Sequence, residues 1–154
     1  MRHHLAVVYR TYLDEIIAGR KTVECRFGRA DRPPHGVVQP GDLIWLKEVS
    51  GPIRAVVRTE GVRCLSGLTP AGIDQIRQTW NRHIRGTAAF WRSCRHQPAV
   101  TLVWFGDLCP LRAFWIDKSD RRAWVVLAGP PLPGRPVEAR NAGAVFGRRL
   151  SSHS

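Results

Sequence analysis

Lysine is nearly absent from this chain of 154 residues: Lys21, Lys47 and Lys118 are the only three, and the other 21 of its 24 basic residues are arginine. Acidic residues are scarce as well, 12 in all, which leaves a formal net charge of +12 and an isoelectric point near 11.1. That balance excludes an acidic, cation-collecting surface and points to polyanionic partners, nucleic acid ahead of a membrane surface. Arginine's planar fork suits bidentate phosphate contacts and stacking on bases, so the bias toward it favours nucleic acid further. Long apolar runs are missing too. No window approaches the roughly 18 apolar residues of a membrane span, and the apolar stretch in MRHHLAVVYR is too short for a signal peptide. A soluble, cytoplasmic protein without membrane partners is expected. The four cysteines, Cys25, Cys64, Cys94 and Cys109, contain no CxxC pair, which argues against a zinc ribbon or a thioredoxin-like centre. Each lies in or beside an apolar segment and is expected to be a reduced, buried thiol. Cys94 and His96 form one lone pair of metal-ligand types, and no metal or cofactor is expected.

What the chain does have is ordinary globular material, 44% hydrophobic and 23% charged. Its length suits one domain. LAVVY at 5–9 reads as a short buried strand. Thr11 can then cap a short helix bearing Leu13, Ile16 and Ile17, with Gly19 as its left-handed stop. From 21 to 27 the pattern alternates, with Val23, Cys25 and Phe27 on one face and Thr22, Glu24 and Arg26 on the other. A loop at 28–42 closes on Pro40-Gly41-Asp42, and LIWLK at 43–47 reads as a central strand. An alternating strand at 53–60 carries Arg54 and Arg58 on its polar face, and Gly61 is placed to bulge it before 62–65.

Thr69-Pro70 gives an N-cap followed by proline at the first helical position, and Ile73, Ile76, Trp80 and Ile84 share one face as far as Gly86. A weaker helix is indicated around 88–94. Three strands follow, at 100–108, 113–116 and 123–127. After Ala128 the composition turns to GPPLPGRP, and 129–154 reads as a flexible, basic, Pro/Gly-rich tail on a folded domain spanning 1–128. About six or seven short strands with one or two inserted helices predict an α+β fold, a small mixed β-barrel.

The densest chemistry lies in AGRKTVECRF at 18–27. Lys21, just after a glycine turn, can project its ammonium toward a phosphate or a carbonyl oxygen. Glu24, flanked by Lys21 and Arg26, should stay ionised and orient both cations. In a hydrolytic reading Glu24 is a general base and Lys21 stabilises an oxyanion. In a structural reading the three residues form an ion network that holds the turn against the barrel.

Gly19, Lys21, Glu24 and Arg26 together resemble the G-x-K-x-x-E-x-R signature of the ASCH domain family. QPGDLIWL, IRAVVRTEGV, the helix after Thr69 and RRAWVVL support the resemblance in order, over roughly residues 4–128. It implies a PUA-like barrel related to the EVE and YTH modules, with a cleft lined by the signature between barrel and helices. It also implies a partner in RNA or another nucleic acid, a modified nucleoside included. Some relatives are binding modules, a bacterial branch removes the acetyl group from N4-acetylcytidine, and ribonuclease activity occurs in the family. The amidohydrolase branch needs a threonine three positions after the lysine and a distant glutamate. This chain has Glu24 in place of that threonine, Thr22 elsewhere, and Asp74 as the candidate distant acid.

The expected catalytic pair is therefore Lys21 and Glu24. The expected ligand-binding set is Gly19, Lys21, Thr22, Arg26, Arg54, Arg58 and Trp91. Of six tryptophans, Trp91 stands between Phe90 and Arg92 in a polar neighbourhood and is the candidate exposed platform for stacking a base. The histidines fall in no catalytic spacing, and His3, His4 and His153 lie near the chain ends.

Overall fold

The structure, a computed structural model, describes residues 1–140. Six strands and three helices alternate along the chain: β1 (His3–Val8), α1 (Arg10–Ile17), β2 (Val23–Gly28), β3 (Leu43–Glu48), β4 (Ile53–Ser66), α2 (Pro70–Ile84), α3 (Ala88–Ser93), β5 (Ala99–Phe114) and β6 (Trp124–Leu127). The strands form one mixed sheet in the order β2-β5-β4-β3-β1-β6, curled into a half-barrel. Only β1 and β3 run parallel. This is the expected α+β barrel with inserted helices, except that its ends, β2 and β6, do not pair with each other.

Local chemistry accounts for most of the boundaries. Thr69 Oγ1 accepts the Gly72 N–H at 3.1 Å with Pro70 at the first helical position, and Arg85 ends α2 in the left-handed region. Thr87 caps α3 in the same way. Gly19, at φ +80°, lets the chain reverse between α1 and β2. The register of β4 against β5 shifts between Thr59 and Gly61, the bulge that Gly61 predicts. The inner face of the sheet packs Ala6, Ile44, Leu46, Ala55, Val57 and Val103 against Leu13 and Ile16 of α1. The other side of β2 and β5 places Val23, Cys25, Val100 and Leu102 against Ile73, Ile76 and Ile84 of α2 and Trp91 of α3.

Several expectations change. Helix α1 begins at Arg10, one residue before Thr11, and its N-cap is Tyr9 with no side-chain cap bond. The strands expected at 100–108 and 113–116 are one 16-residue strand. It stays continuous because β4 pairs with it from Ser66 back to Ile53, which holds it extended through Pro110.

The tail does not begin at 129. Residues 129–140 return to the barrel: the Ala128 N–H donates to Glu138 O at 2.9 Å, the Arg140 N–H to Val126 O at 2.8 Å and the Val137 N–H to Asp117 O at 3.0 Å. Backbone pairing with β6 needs no periodic apolar face, which is why composition missed it. The rest of the expected tail, 141–154, lies outside the described residues. All four cysteines are free, but only Cys25 and Cys94 are buried; Cys64 and Cys109 are exposed.

His4, near the chain end in sequence, is fully enclosed at 0% exposure. Trp124 Nε1 donates to its Nδ1 at 3.1 Å, and its Nε2 meets Asp42 Oδ2 at 2.8 Å. Asp42 also accepts the backbone N–H groups of Arg2 and Gln39. This chain of bonds ties β6, β1 and the turn before β3 together.

Candidate functional site

Where β2 leaves the Gly19 turn, three charged side chains converge under a cleft. Lys21 is 3% exposed. Its Nζ donates to Val23 O at 2.9 Å and to Ile84 O, at the end of α2, at 2.7 Å, and lies 3.5 Å from Glu24 Oε1. The ammonium also sits over the Tyr12 ring, 5.4 Å from its centroid. Glu24 Oε1 accepts the Cys25 N–H at 3.0 Å, and Oε2 faces Arg26 Nη2 at 3.4 Å. Arg26 reaches across the open seam of the half-barrel. Its Nη2 donates to Val7 O on β1 at 2.8 Å, and its guanidinium lies over the Trp124 ring on β6. One arginine thus joins the two ends of a sheet that backbone pairing leaves apart.

Electrostatics fix the state of this cluster. Burial by itself would raise the Glu24 carboxyl, but Lys21, Arg26 and the Cys25 N–H outweigh it and hold the group below its ordinary range. It is a carboxylate at neutral pH. The neighbouring Cys25 thiol is pushed far up by burial, with Glu24 adding to the effect, and is inert.

Above the three charges lies a cavity of about 240 Å³. Lys21, Glu24 and Arg26 form its polar floor. Tyr12 of α1 and Phe90 of α3 are its aromatic walls, Ile84 and Gly86 close one side, and exposed Tyr9 stands at the rim. Tyr12 and Phe90 meet edge to face at 6.3 Å, and the Tyr12 hydroxyl accepts the Thr87 N–H at 3.3 Å. The volume lies below the roughly 300 Å³ at which sites for drug-sized ligands begin, so it suits a group the size of one base. Among the described residues no three His, Cys, Asp or Glu side chains come together as a metal site, and no helix is long and apolar enough to cross a membrane.

No protein-family model matches the chain, and no curated protein does. Solved structures do. A Tyr-to-Phe variant of the ASCH protein from Zymomonas mobilis superposes with a TM-score of 0.61 at 15% identity, covering 99% of this chain and 98% of that one. The ASCH protein itself, from the same organism, gives 0.60 at 13% identity over 98% and 94%. A Ser-to-Ala variant gives 0.60 at 15% over 73% and 73%. The fold is the ASCH fold.

Within this ASCH fold the expected residues divide into two groups. Lys21, Glu24 and Arg26 come together in the cleft, with Gly19 as the turn that delivers them. The others do not join them. Thr22 is exposed and does not line the cavity; its backbone pairs with His83 and Phe105 instead. Asp74 lies on the outer side of α2 near Arg95, at 4.0 Å, so no second acid enters the cleft from that position. Arg54 pairs with Asp14 at 2.8 Å, and Arg58 is exposed beside Glu60 and Asp107; neither lines the cavity. Trp91 is not an exposed platform. It is 4% exposed, its Nε1 donates to Asn81 Oδ1 at 2.9 Å, and it packs edge to face on Phe27 and Phe90. Its polar neighbours Arg92 and Ser93 are exposed on the outer side of α3, while Trp91 itself faces Phe27 of β2. Trp115, at 61%, is the exposed indole instead.

Tyr12 and Phe90 escaped the sequence reading. Tyr12 sits on a stripe that looks like core, and Phe90 sits in a six-residue helix too short for any periodicity. The one available signal was that Tyr12 falls one helix before the Gly19 turn.

Proposed function

We propose that the chain is an ASCH-domain protein that binds nucleic acid, RNA foremost, and takes one base, a modified base included, into the cleft above Lys21, Glu24 and Arg26. The observation that carries this reading is the cavity itself, with a charged floor, two aromatic walls and a volume suited to one base, in a chain of net charge +12. Aromatic faces hold a base at about 1–3 kcal/mol each. An ionised carboxylate accepts a base N–H, and the arginine-rich surface engages phosphates.

The hydrolase reading, a ribonuclease or an N4-acetylcytidine amidohydrolase-like enzyme using Lys21 and Glu24, has less support. Two of the three Lys21 N–H groups are committed to carbonyls and the third faces Glu24, which leaves none for an oxyanion. A carboxylate held below its ordinary range is also a weak base near neutral pH.

Titrating single-stranded RNA at several salt concentrations tests the proposal. Affinity should fall with salt, with a logarithmic slope of about 0.7 per phosphate contacted. Tyr12→Ala should weaken binding about tenfold, in line with the loss of one stacking face. Binding that is flat in salt, or indifferent to Tyr12→Ala, removes the proposal. Release of product from RNA or from N4-acetylcytidine, abolished in Glu24→Gln, would restore the hydrolase in its place.

A further inference from the structure

A second cavity opens on the same arginine from the other side of the cleft. It holds about 170 Å³ between the end of β2, the start of β5 and the loop at 29–35, and Arg26, Arg29, Arg32, His35 and Thr101 are among its lining residues. Thr101 stands directly across from Arg26 in the β2–β5 register. It is 1% exposed, and its Oγ1 has no hydrogen-bond partner. His35 Nδ1, buried in the same wall, has none either. Buried polar atoms are nearly always paired, because an orphan forfeits its hydration without return. Two in one cavity wall mark a place where something polar belongs.

The charges around them say what kind of group. Arg29 is held by Asp31 through two bonds of 3.0 and 2.8 Å, which uses up that carboxylate. Arg26 shows Glu24 only its Nη2 edge. Arg32 is exposed and makes no ion pair among the described residues. A hydroxyl, an imidazole nitrogen and an uncommitted guanidinium around a small cavity suit a compact oxyanion, for which Arg forks and neutral donors act together.

We propose that this cavity is a phosphate subsite, taking the phosphate of the nucleotide whose base enters the Tyr12–Phe90 cleft, with Arg26 shared between the two. The identity of the phosphate as part of a nucleic acid rests on the function proposed above; the subsite itself rests on the orphaned atoms and Arg32.

Inorganic phosphate is the probe, followed by thermal shift at ionic strength matched with chloride. The wild-type protein should be stabilised by phosphate in a saturable manner. Thr101→Val, which keeps shape and removes the hydroxyl, and Arg32→Gln, at an exposed position that does not threaten the fold, should each weaken phosphate binding about tenfold, the loss of one hydrogen bond to a charged group. Both should also weaken single-stranded RNA binding, and phosphate should compete with RNA in the wild type with an inhibition constant about tenfold lower than in either variant. No saturable phosphate effect, or one that both variants leave intact, overturns the subsite. If phosphate binds and both variants lose it while the protein binds no RNA, the nucleic-acid assignment falls and the oxyanion pocket stands.

Discussion

Around His4 every hydrogen-bonding atom has a partner within the protein, whereas around Glu24 the charges share their partners with a cavity. Trp124 donates to one His4 nitrogen, so that nitrogen is unprotonated, and the other carries the hydrogen given to Asp42. Burial lowers the His4 pKa despite the opposing pull of Asp42, so the contact, although between groups able to form an ion pair, joins a neutral imidazole to a carboxylate. Nothing in that cluster is left to offer a ligand. Lys21, Glu24 and Arg26 are spaced more loosely, at 3.4–3.5 Å between charges, and they face open volume. The difference teaches that burial alone does not distinguish a polar group that holds the fold from one that serves a site: the Lys21 donors are as fully committed as those around His4, and what sets its cluster apart is that Glu24 and Arg26 keep bonding capacity toward the cavity.

The largest effects should come from breaking each cluster at its centre. Asp42→Ala strands a buried imidazole N–H and two backbone N–H groups and should cost about 3–5 kcal/mol, at about 1–2 kcal/mol for each donor left without an acceptor. That is a drop of about 10 °C in Tm. RNA binding by the folded protein should be unchanged. Lys21→Ala should lower Tm by a similar amount, since it removes the bond to Ile84 O and leaves Glu24 with one cation, and it should abolish RNA binding as well. Although Lys21 stands just after a turn, its loss reaches the fold because its ammonium ties β2 to the end of α2. If Lys21→Ala lowers Tm and leaves binding intact, the two clusters are alike and both are structural.

An intermediate effect separates the clusters by pH. The folded His4 resists protonation, while the unfolded chain takes up a proton below about 6.5, so stability falls as pH drops below that value. The folded Glu24 pKa lies below 4.5, so its contribution is present above that value and is lost as pH falls through the folded pKa. Unfolding midpoints followed from pH 8 to 3 should show both stages. Glu24→Gln should flatten the lower stage and leave the upper one in place. Asp42, held below 3.8, retains part of the loss at the acid end. A single transition unaffected by the variant would contradict the assignment of the lower stage to Glu24.

The smallest effect concerns residues 129–140. A chain ending at 128 should melt a few degrees below one ending at 140, about 1–2 kcal/mol for the backbone pairs with β6 and Asp117. Equal melting temperatures would return this segment to the tail.

Much of the architecture was legible because it rests on local rules. Thr69-Pro70 caps a helix wherever it stands, the Gly19 turn requires positive φ, and Gly61 bulges its strand, so the elements follow from neighbours a few residues apart. The spacing Gly19, Lys21, Glu24, Arg26 is local too, and it brought the charged floor of the cleft within reach of the sequence. Thr22 shows the limit of this reasoning: in the strand pattern it shares a face with Glu24, but it stands just outside β2, before the regular alternation begins.

The sequence by itself determined most of the elements, the Arg-dominated charge and the three residues on the floor of the cleft, because each depends on contacts along one stretch of chain; the continuity of β5 and the return of 129–140 depend on pairing with distant strands. Only the tertiary structure decided that Trp91 is core and Tyr12 a wall, that His4 is enclosed, that Asp74 and Arg58 stand apart, and that Arg26 spans the seam from β2 to β1 and β6. The physical reason is that exposure and pairing at those positions are set by residues from 10 to 120 positions away: Asn81 for Trp91, Val7 for Arg26, Asp42 and Trp124 for His4. No local pattern carries information about a partner that folding brings from so far along the chain.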